Sequence, residues 1–232
     1  LYRQIENSSG IPHAVLEQSM DRELELEKRI LVPREQMLSG LKRALESGKE
    51  VYIISDMYLP EEFYREVLRQ YDILIPEGRI LLSNILDMKK SDGTIWKHYS
   101  ENIVKGRRAL HIGDNGKADI EEPLKYGVKA YLAPNAWDLL SVSSLGNITA
   151  HICNEYDTAV MGCVLKELFR NPYVFSQRDG MVEIKDSYEM GYCVFGPVIL
   201  TFFLWLLRKS REDGIEKLVF MARDGYFLIE DF

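Results

Sequence analysis

The sequence predicts an α/β protein, with a parallel sheet flanked by helices and a mainly helical region after it. Three observations predict it. Helical and strand-like patterns alternate from residue 34 to residue 132, and alternation at this spacing implies right-handed crossovers between parallel strands with helices on both faces. Two of the strand-like runs end directly on polar residues, Ser55 and Asp114, at the carboxyl edge where open α/β sheets keep their ligands. Past Pro134 the alternation stops and longer apolar helical patterns take over.

The elements follow in order. Residues 12 to 30 carry Leu16, Met20, Leu24 and Ile30 along one side of a charged helix. Pro33 breaks that run. A second helix then repeats Met37, Leu38, Leu41 and Leu45 before Gly48, placed where a left-handed cap is preferred. Val51 to Ile54 is short, β-branched and aromatic, as in a buried strand. Pro60-Glu-Glu opens a helix with Phe63, Val67, Leu68 and Tyr71 on its apolar face. Arg79 to Ser83 reads as a strand, and Gly93 to Ile103 as one helix with Ile95, Trp96, Tyr99 and Ile103 inward. Ala109 to Ile112 is a strand, Ala118 to Tyr126 a helix stopped by Gly127, and Val128 to Leu132 a strand. Further on, a helix is expected near 156 to 169 and a long apolar one up to about 210. A strand is expected over Lys217 to Ala222, as part of an unfinished βα unit.

Composition narrows the function classes. The 232 residues are 46% hydrophobic and 28% charged, an ordinary globular balance, and the net charge of −7 argues against a nucleic-acid surface. Cys153, Cys163 and Cys193 are too far apart for a zinc knuckle and odd in number, which fits reduced thiols in a cytoplasmic protein. No secretory signal opens the chain; it does not start with Met, so an upstream portion is expected. Met190 to Leu207 contains no formally charged residue and reaches the lower length limit of a membrane span. Its glycines and Pro197, with no comparable second segment, favour a buried core helix and no membrane span.

The chemistry-bearing positions are few. Ala109 to Ile112 runs into Gly113, Asp114 and, five positions after Asp114, Asp119. Two carboxylates converging at a sheet edge repel each other unless a cation lies between them, and hard ions such as Mg²⁺ take oxygen ligands of this kind. The plainer alternative is a polar turn with Asp114 or Asn115 capping the next helix. Ser55 stands at the end of another strand, as a ligand-facing hydroxyl or a turn former, with Asp56 beside it. Lys89 and Lys90 lie ahead of the helix beginning near Gly93, where the helix dipole disfavours a cation and a lysine calls for an anionic partner.

Strand-Ser55, then Lys90, then strand-Gly113-Asp114 with Asp119 resembles motifs II, III and IV of the haloacid dehalogenase (HAD) superfamily. Lys90, six residues before Trp96, fits the motif III distance and Lys89 does not. Pro33-Arg34, Ser55-Asp-Met-Tyr-Leu-Pro60, His111-Ile-Gly-Asp-Asn115 and Arg223-Asp-Gly-Tyr226 further resemble a bacterial subgroup of predicted HAD hydrolases often linked to glycosyltransferases or surface-polysaccharide loci. The resemblance covers residues 1 to about 135, and the remainder more loosely. It implies a Mg²⁺-dependent phosphohydrolase acting through an aspartyl-phosphate on a small phosphorylated substrate. Ser55 would hydrogen-bond the phosphoryl group, with Asp56 beside it at the substrate. Lys90 would neutralise its charge and orient the nucleophile. Asp114 would hold the metal, and Asp119 would support the metal shell or Lys90.

One departure matters. The motif I strand with its Asp-x-Asp nucleophile is not in this sequence. Asp56-Met-Tyr lacks the second carboxylate, and Val219 to Leu228 carries Ala222 where the nucleophile would stand. The chain alone is therefore expected not to form the phosphoenzyme. The expected organisation is a partial helical cap over 1–32, a Rossmann-like HAD core over 33–135, and a mainly helical region over 136–232. The alternative function is a non-catalytic HAD-like binding or scaffold module of a polysaccharide-synthesis protein. A receiver-like phosphoacceptor is a weaker third reading, because Ser55-Asp56 supplies only part of its acidic pair.

Overall fold

A computed structural model describes residues 2–173 and 179–220. The chain divides into two compact units, Leu1–Asp138 with Arg170–Pro172, and Leu139–Phe169 with Tyr173–Phe232.

The first unit opens with α1 (Tyr2–Ser9), α2 (His13–Ile30) and α3 (Glu35–Glu46). Gly48, at φ +69°, closes α3 in the left-handed conformation that costs a glycine little. Then come β1 (Ile53–Ser55), α4 (Glu61–Arg69), β2 (Ile80–Leu82) and the single turn α5 (Ser83–Leu86). Next is α6 (Thr94–His98), which continues as a π-helical turn over Tyr99–Val104. The single helix expected over 93 to 103 thus widens half-way, and Lys105 at φ +50° ends it. After β3 (Leu110–Gly113), a π-helical turn over Gly116–Glu121 leads into α7 (Glu122–Lys125), and β4 (Lys129–Leu132) follows.

The sheet is parallel, as the alternation requires, but it forms as two ladders. Strand β1 pairs with β2 through Ile53–Ile80, Ile54–Leu81 and Ser55–Leu82. Strand β3 pairs with β4 through Leu110–Lys129, His111–Ala130, Ile112–Tyr131 and Gly113–Leu132. The bonds Lys129 N–H to Ala109 O and Ala133 N–H to Gly113 O turn the odd-numbered residues of β3 toward β4. Since backbone groups alternate sides along a parallel strand, those of Leu110 and Ile112 point to an edge with no ladder partner among the described residues. The single continuous sheet expected from the sequence is therefore replaced by two. Local periodicity finds strands but does not reveal which of them touch.

The β1–β2 ladder is covered on both faces. On one, Ile73, Ile75, Ile80 and Leu82 form a buried cluster packed by Leu38, Leu41 and Leu45 of α3 and by Tyr64 and Leu68 of α4. On the other, Leu81, Ile95 and Trp96 are buried with Tyr52, Ile54 and Tyr99 around them. Ladder β3–β4 is less protected, with Leu110 62% and Ile112 45% exposed.

The described part of the second unit is helical. Helix α8 (Ala136–Ser141) straddles its start. A 3₁₀ turn over Gly146–His151 and α9 (Glu155–Leu168) follow. A continuous helical run then comprises α10 (Ser187–Met190), a π-helical turn over Gly191–Phe195, and α11 (Gly196–Glu212). This run, Ser187–Glu212, is long and apolar enough to cross a membrane by length and composition, and only 6% of its most apolar window is buried. The buried core helix expected here is corrected accordingly: apolar composition shows an aversion to water, not what covers the helix. Lys217 to Phe220 carry no strand, and Met221, Ala222 and the Arg223-Asp-Gly-Tyr226 motif lie outside the described residues.

Leu82 is fully buried between α3 and α4. Leu82→Ala is expected to cost about 2–5 kcal/mol, read as a lower urea midpoint with an unchanged slope.

Candidate functional site

The chemistry-bearing residues meet where β1 and β3 end. Past Ser55, the Asp56 carboxylate accepts the Lys90 backbone N–H at 3.0 Å and 3.2 Å through its two oxygens. This fixes the loop between α5 and α6 against the end of β1. Lys90 turns inward and its Nζ donates to Asp119 Oδ1 at 2.7 Å, while Lys89 stays exposed. One lysine thus links the ends of the two ladders. The anionic partner that a lysine ahead of a helix calls for is Asp119.

Asp119 is 1% exposed. Its Oδ1 also receives His111 Nε2 at 3.0 Å, and its Oδ2 accepts the Asn115 N–H at 3.0 Å. Burial pushes the Asp119 pKa up. The hydrogen bonds from His111, Lys90 and the Asn115 N–H, with the Lys90 charge, outweigh burial and hold it well below the ordinary carboxylate range. The carboxylate is therefore ionised and accepts only, which assigns the His111 proton to Nε2.

Local sequence explains how Asp119 gets there. Asn115 caps the following helical turn, its Oδ1 accepting from Lys117 N–H and Ala118 N–H, and Asp119 returns a bond to Asn115 N–H. This reciprocal arrangement works like a capping box. The plainer reading of the acidic loop thus holds for Asn115, while Asp119 serves both the cap and Lys90. Trp96, fully buried on α6, donates its indole Nε1–H to Ala118 O at 2.9 Å and packs its ring 4.5 Å from that of His111.

The other residues stand apart from this pair. Asp114 is exposed, and its Oδ2 accepts from Asn135 Nδ2 at 3.2 Å. Ser55 Oγ lies 3.1 Å from the Tyr64 hydroxyl and accepts the Met57 N–H at 3.3 Å, so it shapes the turn and remains half-buried. Burial raises the Tyr64 pKa more than the Ser55 bond lowers it, so its hydroxyl stays protonated. Helix α2 reaches this edge too. Tyr58, three residues beyond Ser55, donates to Glu23 Oε1 at 2.6 Å, and Lys28 pairs with Glu66 of α4.

Comparisons with known proteins leave the site to speak for itself. No family model matches the chain. A search of curated proteins finds no match either. The weight therefore rests on geometry.

For a metal ion the residues fit in part. No group of three or more His, Cys, Asp or Glu that could hold one occurs among the described residues. Asp119, buried and engaged through both oxygens, is a poor ligand and a good partner for Lys90. Asp114 is accessible, and Mg²⁺ needs only one or two protein carboxylates when water and phosphate complete its shell. Two residues to which the sequence assigns no role belong to this site: His111, which opens the His111-Ile-Gly-Asp-Asn115 motif on its strand, and Tyr64, within a helix. The one trace of His111 in the sequence is an imidazole two residues before Gly113, on the same face of the strand.

Gly113 lies against Asp119, and a methyl group there would stand 2.6 Å from Asp119 Cβ. Gly113→Ala is expected to displace Asp119 and break its bond to Lys90. The Asn115 amide signal should shift and stability should fall by about 1–3 kcal/mol, as for overpacking. Because the folded-state pKa of Asp119 is depressed, its stabilisation is present above the ordinary carboxylate pKa and is lost as pH falls through the folded value. The Asp119 carboxyl ¹³C signal should therefore still report an ionised group at about pH 3.9, the ordinary midpoint.

Proposed function

We propose that residues 33 to 135 form the phosphate-handling part of a Rossmann-like, HAD-type phosphohydrolase core. The observation that carries this reading is the Lys90 ammonium, held by buried Asp119 while its own backbone N–H is tied to Asp56 at the end of β1. A lysine fixed at both ends and left 16% exposed presents a preorganised positive charge at a sheet edge, the arrangement that stabilises charge on a transferring phosphoryl group. Ser55, adjoining Asp56, supplies a hydroxyl to the same phosphoryl oxygens. Asp114 is the carboxylate this chain offers to Mg²⁺, which would add Lewis-acid stabilisation of the phosphate charge. The substrate class is a small phosphorylated molecule, and α2, tied to the edge through Glu23 and Tyr58, acts as a partial cap that limits water access.

The nucleophile of this reading is a carboxylate on a further strand. The edge of β3 without a ladder partner among the described residues supports that placement, as does the way Lys90 and Trp96 reach from the β1–β2 ladder to β3 with no described strand paired between the ladders. A second reading keeps the anion site and drops the chemistry, as a non-catalytic HAD-like binding or scaffold module of a polysaccharide-synthesis protein. It is favoured by the commitment of Asp56 to the Lys90 backbone, which leaves no carboxylate at the end of β1 to act as nucleophile.

Binding of inorganic phosphate, followed by calorimetry with and without Mg²⁺, tests the shared part. Lys90→Met is expected to weaken phosphate binding about tenfold, the loss of one charge-assisted hydrogen bond. Asp114→Asn should abolish the Mg²⁺ enhancement and leave Mg²⁺-free phosphate binding in place. Equal phosphate affinity in the parent protein and Lys90→Met would contradict both readings.

A further inference from the structure

Strand β3 buries its residues the wrong way round. Leu110 and Ile112 face outward, 62% and 45% exposed, while the His111 side chain between them is only 14% exposed. A pleated strand with one protected face gains more by burying leucine and isoleucine than by burying an imidazole, which costs free energy unless its ring nitrogens find partners. Packing alone does not account for this register.

The partner that compensates His111 is the site itself. His111 Nε2 and Lys90 Nζ both meet one oxygen, Asp119 Oδ1, at 3.0 Å and 2.7 Å. Asn115 N–H holds the other oxygen. On the same face of β3, two residues on, Gly113 leaves the space that the Asp119 side chain fills. The Trp96 ring packs against the imidazole from α6, so the ring cannot turn away freely. A carboxylate with only the Lys90 and Asn115 bonds could rotate about its Cβ–Cγ bond and carry the ammonium with it. The third bond, from a stiff ring on a strand, closes that rotation.

We propose that His111 is a positioning residue: through Asp119 Oδ1 it fixes the Lys90 ammonium in the direction of the phosphate. The imidazole acts through its Nε2 donor bond to Asp119 and touches neither phosphate nor metal. The proposal rests on the phosphate-handling reading for what Lys90 faces, but the positioning itself is observable without any ligand.

Its test is the ammonium signal of Lys90 in ¹H–¹⁵N spectra, which persists only when the NH₃⁺ protons are held and shielded from water; Lys90→Met assigns it. In the wild-type protein the signal is expected to be present. His111→Phe keeps a ring against Trp96 and removes the donor. The Lys90 signal should then be lost while the Trp96 indole signal, reporting the bond to Ala118 O, stays in place. His111→Gln returns an N–H donor near the position of Nε2 and should restore the signal. An undiminished Lys90 signal in His111→Phe would overturn the proposal. So would its loss in His111→Gln with the Trp96 signal retained, the variant that decides the matter if the phenylalanine protein does not fold. Adding inorganic phosphate separates the two claims. A wild-type Lys90 signal that ignores phosphate removes the phosphate reading and leaves the positioning result intact. If the wild-type signal moves, His111→Phe should need about fivefold more phosphate for the same shift, in line with one weakened hydrogen bond, and an equal requirement would count against the proposal.

Discussion

The ion pair between Lys90 and Asp119 is the constraint around which the first unit is arranged. A carboxylate taken out of water costs several kcal/mol unless it is paired and its remaining lone pairs are satisfied. Here that compensation comes from three directions: an ammonium from the loop before α6, an imidazole from β3 and a backbone N–H from Asn115. Each donor fixes a different segment. The lysine brings the end of β1 into the arrangement through Asp56, and Trp96 locks the helix that spans both ladders onto Ala118. The geometry at the sheet edge and the packing of the core are thus one problem with one solution.

That dependence explains features that look unrelated. Gly113 is there because Asp119 needs the volume a side chain would take. The reciprocal cap between Asn115 and Asp119 lets one carboxylate serve backbone and lysine at once. Asp114, one residue away, is spared those duties and stays at the surface with a single bond to Asn135. The two aspartates share a loop but not a role: one is spent inside the protein and the other is free to meet a cation or solvent.

Much of this was legible in the sequence, unevenly and for physical reasons. Helices α2, α3 and α4 follow from 3.6-residue spacing of Leu, Met and Phe, and Gly48 marks an end because a positive φ is needed there. The four strands of the first unit are short apolar runs, found within one or two residues, whereas the one expected over Lys217 to Ala222 is not formed over Lys217 to Phe220. Their grouping into two ladders was not legible, since pairing depends on contacts between segments far apart in the chain. Lys90 is singled out from Lys89 only by the motif III distance that the resemblance implies, while the need of a lysine there for an anion follows from the helix dipole behind it. That the anion would be Asp119 was one of two options left open, and only burial separates them. His111 was invisible as a participant, because a strand residue points inward or outward with equal ease until its neighbours are known. The exposure of α11 was likewise beyond reach, as the same apolar stretch suits a core, a bilayer or a partner surface.

The central claim is that Lys90, fixed by Asp119 where β1 and β3 end, is a phosphate-binding cation. The most direct measurement is a crystal structure of the protein soaked in tungstate, a heavy analogue of phosphate whose position anomalous scattering reveals without ambiguity. The account predicts a tungsten peak with its oxygens in hydrogen-bond range of Lys90 Nζ and Ser55 Oγ, absent from crystals of Lys90→Met. Tungstate bound only at other basic residues, with this edge empty and the Lys90–Asp119 bond intact, would contradict it.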